Sequence, residues 1–137
     1  MLQRPGIGFA LACCCLLLGC GRVERTRECR EVIRTVNDGL TEIGALADAQ
    51  PPDPKNLAER YTQLAARLRQ LQVGNQSLSK NVEDYATLCE DTALALDTSR
   101  PMPHRADGRL RPRPSLAHIP RRERTLVARL NSVCVSP

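Results

Sequence analysis

The chain has 137 residues, 20 Lys and Arg against 15 Asp and Glu, and a net charge of +5, a length that fits one domain. Aromatic residues make up 2% and tryptophan is absent, which excludes the stacking platforms that single-stranded nucleic-acid sites use. Only Lys55 and Lys80 are lysines, and an arginine excess of this kind follows from codon usage as readily as from binding, so no partner is read from it.

The first element is an apolar run from Ile7 to Leu18, interrupted only by Gly8 and preceded by one cation, Arg4. It has the length of a signal-peptide apolar region, and it is shorter than the roughly 20 apolar residues that a membrane-spanning helix needs. Arg22, Arg25 and Arg27 follow at once, and the run closes on Leu17-Leu18-Gly19-Cys20. This ending resembles the lipobox of bacterial lipoprotein precursors. The resemblance implies that residues 1–19 are a signal peptide cut off before Cys20, that the Cys20 thiol carries diacylglycerol, and that the new amino terminus is acylated. Such chains anchor a protein through about 0.8 kcal/mol per buried methylene. Gly21 rather than Asp after Cys20 implies, by enteric-type sorting, the outer membrane rather than the inner. The resemblance covers the first twenty residues and implies nothing about the fold beyond them. The triplet Cys13-Cys14-Cys15 admits a second reading, S-acylation of an uncleaved segment, and ordinary secretion with cleavage after Gly21 is a third.

Residues 20–28 are polar and charged and read as a short tether. Beyond them, Cys29, Cys89 and Cys134 are the remaining thiols. Outside the cytoplasm disulfides are expected, and an odd count leaves one cysteine over.

From Cys29 the apolar positions run Cys29, Ile33, Val36, Leu40, Ile43, Ala47, alternating steps of four and three. That two-position stripe predicts a helix packed against partners. Gly39 and Gly44 within it each cost about 1 kcal/mol relative to Ala, and they read as tolerated glycines. Pro51, Pro52 and Pro54 end this helix, while Asp53 and Pro54 cap and start the next. Leu57, Tyr61, Leu64, Leu68 and Leu71 form the second stripe, flanked by Ala58 and Ala65. It is expected to end near Val73, with Gly74-Asn75 supplying left-handed residues. Leu78, Val82, Tyr85, Cys89, Thr92 and Leu96 form the third. On that register Glu83, Asp84, Glu90, Asp91 and Asp97 make a continuous acidic face, expected to be solvated.

Over residues 99–119 the pattern dissolves into prolines and charges, with Arg100, Arg105, Arg109, Arg111 and Arg113 against Asp107 alone. A segment so composed buries too little apolar surface to offset chain ordering and reads as a flexible loop. Pro120 then opens a last helix with Leu126, Val127, Leu130, Val133 and Cys134 inward. The expected fold is all-α: a small antiparallel helical bundle over residues 29–137, of four helices or of three with a docked C-terminal helix. In up-down-up-down order the start of the first helix meets the end of the fourth, so a Cys29–Cys134 disulfide is predicted. Cys89, about 16 Å along the third helix, is out of reach and reads as a buried apolar residue.

No catalytic constellation is present. His104 and His118 both fall in the loop, cysteines lack metal-site spacing, and phosphate-loop, G-x-S-x-G and H-E-x-x-H motifs are absent. Neither a cofactor nor a metal is expected, and nucleic acid is not an expected partner. The sequence thus points to an envelope lipoprotein held in the membrane by lipid on Cys20, a structural or protein-interaction module with no enzyme activity and an unidentified envelope protein as partner. The alternative is an electrostatic binder of anionic lipid or cell-wall polymer through Arg100, Arg105, Arg109, Arg111 and Arg113, whose guanidinium groups suit phosphate and carboxylate. A related expectation is that the loop folds back on the acidic face of the third helix.

Overall fold

The computed structural model describes residues 8–48 and 51–135, with side chains from residue 21 onward except at position 22. Four helices account for most of it: α1 (Gly8–Ala47), α2 (Pro54–Arg69), α3 (Gln76–Leu96) and α4 (Ile119–Val135), with a single 3₁₀ turn (Leu116–His118) before α4. The fold is an all-α helical bundle. The side chains of Leu17, Leu18, Gly19 and Cys20 lie outside the described residues.

Each boundary has a local cause. Asp53 accepts a hydrogen bond from the Lys55 amide at 2.9 Å and Pro54 takes the first helical position, so α2 starts where the proline-rich turn permits. Asn75 caps α3 by accepting from the Leu78 amide at 2.9 Å. Ser115 does the same for the 3₁₀ turn through the Ala117 amide. The end of α2 differs from expectation. It comes at Arg69, and no left-handed residue closes it, because Gly108 is the one described residue with positive φ.

Gly74 serves another purpose. Its amide donates to the buried carboxylate of Glu28 at 2.7 Å, and a Cβ there would stand 3.2 Å from the same oxygen. The Asn75 amide also faces that carboxylate, at 3.4 Å. Glu28 on α1 thereby satisfies amides of the α2–α3 connection that would otherwise be short of acceptors.

Cross-helix pairs set the topology. On α1 and α2, Gly39 faces Leu64 and Glu42 pairs with Arg67; on α2 and α3, Arg69 reaches Glu83 and Glu90. On α3 and α4, Tyr85 meets Glu123 and Asp91 meets Arg122, while Cys29 on α1 joins Cys134 on α4. Over longer spans the numbering runs in opposite senses, Glu28 lying by Gly74 and Gly39 by Leu64, Arg69 by Glu83 and Thr62 by Arg100, Asp84 by Arg129 and Asp91 by Arg122, which makes the bundle up-down-up-down. α3 lies between α2 and α4 and contributes ten buried residues, more than any other helix among the described side chains.

The inward faces depart from the two-position stripes in α1 and α4. In α1 the buried set among the described side chains is Glu28, Cys29, Val32, Val36, Gly39 and Ile43, while Ile33 is 42% exposed and Leu40 half-buried. Gly39 decides this rotation. A Cβ at that position would lie 2.6 Å from Leu64 Cδ1, so the glycine turns inward to admit Leu64, which is fully buried. The glycine is a close-approach residue and not merely a tolerated one; Gly44, with nothing within 4 Å of its Cβ position, is tolerated. In α4 Leu126 and Leu130 are buried, Val133 and Cys134 partly so, and Val127 is 38% exposed; Ile119 and Glu123 take the upper inward places.

α1 also begins earlier than expected. Residues 20–28, read as a tether, continue the α1 helix, with Gly21, Val23, Thr26 and Arg27 exposed. Between Cys29 and Ala47 α1 rises about 27 Å. One end of the bundle therefore holds the disulfide, the α2–α3 connection and the end of α4; the other holds the α1–α2 turn and the arginine-rich segment.

Candidate functional site

The segment between α3 and the 3₁₀ turn was expected to be a flexible loop, and the structure gives it a defined course. Asp97 closes α3 and accepts from the Ser99 amide and hydroxyl at 3.1 and 2.6 Å, with Arg100 Nε at 3.2 Å. These donors, Ser99 foremost, hold the Asp97 carboxyl below the usual carboxylate range. Farther on, the Gly108 amide donates to the Arg105 carbonyl at 2.9 Å and the Arg105 amide to the Arg109 carbonyl at 2.7 Å. Gly108 sits at φ +76°. This is a three-residue hairpin turn in which glycine supplies the left-handed step. A single antiparallel bridge, His104 to Leu110, continues it, and the Arg111 amide donates to the Pro103 carbonyl.

Arginines strap this hairpin to α3. Arg113 donates through Nη1 to the carbonyls of Leu94 and Asp97 and through Nη2 to those of Thr98 and Arg100, the last at 2.9 Å. A guanidinium at the end of a helix meets carbonyls that have no intrahelical partner and carry the negative end of the helix dipole. Arg100 reaches across to Thr62 on α2 at 2.8 Å, and Arg111 reaches Asp91 at 3.4 Å. Of the five arginines read as contacts for an anionic partner, Arg100, Arg111 and Arg113 are thus engaged within the chain. Arg105 and Arg109 are exposed on the turn.

The acidic face of α3 is correspondingly not a continuous solvated stripe. Asp91 has a side chain only 5% exposed, held between Arg122 Nη1 at 2.6 Å and Arg111 Nη2. Glu83 and Glu90 grip Arg69 from two sides, Glu83 at 2.8 Å. Hydrogen bonds from Arg69 hold Glu83 below its ordinary range, and the two carboxylates raise the Arg69 guanidinium. Asp84 pairs with Lys80 at 3.0 Å.

Compared with protein-family models, curated proteins and solved structures, the chain matches none. Its chemistry is therefore argued from its own residues.

The cysteines divide as geometry demands. Cys29 and Cys134, 105 positions apart, are bonded with their Cα atoms 5.7 Å apart, while Cys89 is free and buried. Burial, with Glu123 and Glu90 nearby, pushes the Cys89 thiol up to about 12, so it is no nucleophile near neutrality. Burial likewise raises Tyr85, which donates to Glu123 at 3.1 Å, and raises Tyr61. His104 Nδ1 contacts the Gly108 carbonyl at 3.2 Å and lies in the exposed turn. Among the described residues no three His, Cys, Asp or Glu side chains converge as metal ligands, and no helix is long and apolar enough to cross a membrane.

Sequence reasoning missed Glu28, Asp91 and Arg122 as buried or anchoring polar groups. For Asp91 a signal existed. Ala86, Leu88 and Ala93 widen the apolar face of α3 beyond one stripe, as expected of a helix covered on two sides. A carboxylate inside that wider arc must be paired. Glu28 gave no such signal, because the amides that donate to it are set by where the α2–α3 connection comes to rest.

Proposed function

We propose that the chain is a lipid-anchored protein of the bacterial envelope, outer-membrane in location, whose four-helix body is a structural or protein-interaction module without catalytic activity. The observation that carries this reading is Leu17-Leu18-Gly19-Cys20 closing a short apolar run that follows a single cation. The helical course of residues 21–28 supports it in one respect: a lipid on Cys20 would connect to the bundle through about 12 Å of helix instead of a slack tether. The disulfide then closes the bundle at its anchored end. The test is metabolic labelling with a radioactive fatty acid. Wild-type protein is expected to take up label and sediment with outer membranes, and Cys20→Ser to lose both; label retained by the variant overturns the reading.

A second reading, electrostatic binding by the arginine-rich segment, now rests on Arg105 and Arg109. Their position favours a wall polymer over lipid of the anchoring membrane. The turn lies at the end of the bundle away from Cys29, about 27 Å along α1, where a screening length of about 8 Å leaves little attraction to head groups. Arg105→Ser with Arg109→Ser is expected to lower association with isolated cell walls at low salt. Unchanged association removes this reading.

A further inference from the structure

The α3–α4 face carries a second cationic feature, distinct from the loop. A groove of about 340 Å³ runs between the two helices, lined by Asp84, Thr87, Arg121, Arg122, Thr125, Leu126 and Arg129. Its size is that of a small-ligand site. Leu126 is buried at its floor, and the arginines stand along one wall. Arg121 and Arg129 are eight residues apart on α4, hence about 12 Å along the axis.

The charges here do not cancel. Of the lining residues one, Asp84, is a carboxylate and three are arginines: Arg129 near Asp84, Arg122 on Asp91 behind it, and Arg121, which has no side-chain hydrogen bond or ion pair among the described residues. The lining side chains carry three positive charges against one negative, a surplus of two. Arg129 is only loosely held, 3.9 Å from Asp84. Arg122 is the opposite case: its Nη1 is fixed at 2.6 Å on a buried carboxylate, and that one bond leaves Nε and Nη2 to serve a second acceptor. A guanidinium fixed in this way has already lost the freedom that binding would otherwise cost.

We infer that this groove binds a linear oxyanion ligand carrying two or more phosphate or carboxylate groups, with Arg121 and Arg122 taking one end and Arg129 the other. Spaced guanidinium groups of this kind favour an extended polyanion over a single phosphate, since one small ion cannot engage both ends. The inference does not depend on the lipid anchor, and it uses none of the residues of the arginine-rich turn.

The test uses the full chain in detergent micelles, with tripolyphosphate as linear probe and orthophosphate as single-ion probe, followed by calorimetry at low salt. Tripolyphosphate is expected to bind about tenfold or more tightly than orthophosphate, and Arg121→Gln with Arg129→Gln to reduce its affinity at least about tenfold. Arg105→Ser with Arg109→Ser should leave it unchanged. Arg122 is kept, because removing it would leave the buried Asp91 with Arg111 alone, at 3.4 Å. As a check independent of any variant, tripolyphosphate should protect Arg121 and Arg129 of the wild-type chain from phenylglyoxal. Absence of tripolyphosphate binding, equal affinity in the Arg121/Arg129 variant, or loss with the turn variant instead would each overturn the site, as would phenylglyoxal reaction that tripolyphosphate does not slow.

Discussion

Gly39 and Gly44 show how one residue type carries two meanings in one helix. Both lower helix propensity by about 1 kcal/mol, but Gly39 lies under Leu64 and Gly44 faces open space. Gly39→Ala is expected to destabilise the bundle by about 1–3 kcal/mol through overpacking, and Gly44→Ala to stabilise it by about 0.5–1 kcal/mol. Urea denaturation of the two variants checks the pair. Cys89 makes a prediction of its own at this scale. Its thiol is raised from an ordinary value near 8.5 to about 12 in the fold, so the unfolded chain ionises first. The stability this contributes is full below about pH 8.5 and is lost as pH rises toward 12. Between pH 7 and pH 10 the loss from this group should reach up to about 2 kcal/mol. Cys89→Ala should remove that part of the alkaline slope, leaving the contributions of Tyr85 and Tyr61, which begin near pH 10. Denaturation at the two pH values in both proteins measures it.

Among the elements, the segment between α3 and α4 depends most on a single side chain. Its backbone is rich in proline and makes few bonds of its own, so its course is set by Arg113, Arg100 and Arg111 reaching back to α3 and α2. Arg113 matters most, because its four acceptors are backbone carbonyls at the end of α3. Arg113→Ala is expected to cost about 1–3 kcal/mol and to make residues 98–115 sensitive to protease while the helices stay protected. Limited proteolysis followed by mass spectrometry reads this directly. Arg111→Ala should do less, since Asp91 keeps Arg122 at 2.6 Å.

For the whole molecule, the Cys29–Cys134 bond ties the first helix to the last where they otherwise meet over a small area. Closing a loop of about 100 residues contributes up to about 4.7 kcal/mol in the chain-entropy model. Reduction, or Cys29→Ala with Cys134→Ala, should lower the denaturation midpoint accordingly. α2 and α3 should stay paired longest, because they share the most extensive contact and the Arg69 ion pairs. Hydrogen exchange under reducing conditions should show α1 losing protection before α3.

Helix number, helix order and the all-α class were legible in the chain, because alternating steps of three and four mark a buried face and prolines mark its ends. The pairing of Cys29 with Cys134 was legible too, once antiparallel order placed both at one end. Three things came only from the tertiary structure. The inward faces of α1 and α4 turned away from the best stripe: a glycine under Leu64 and a tyrosine reaching Glu123 outweigh the burial of Ile33 or Val127. Asp91 went inside because α3 is covered on two sides, a fact that no single helix pattern contains. The arginine-rich segment acquired a course through carbonyls that become available only where α3 stops, so composition alone read it as slack chain. Periodicity records which residues want to leave water; which neighbour each one meets is decided by packing, and most of the charged contacts described for this protein belong to that second kind.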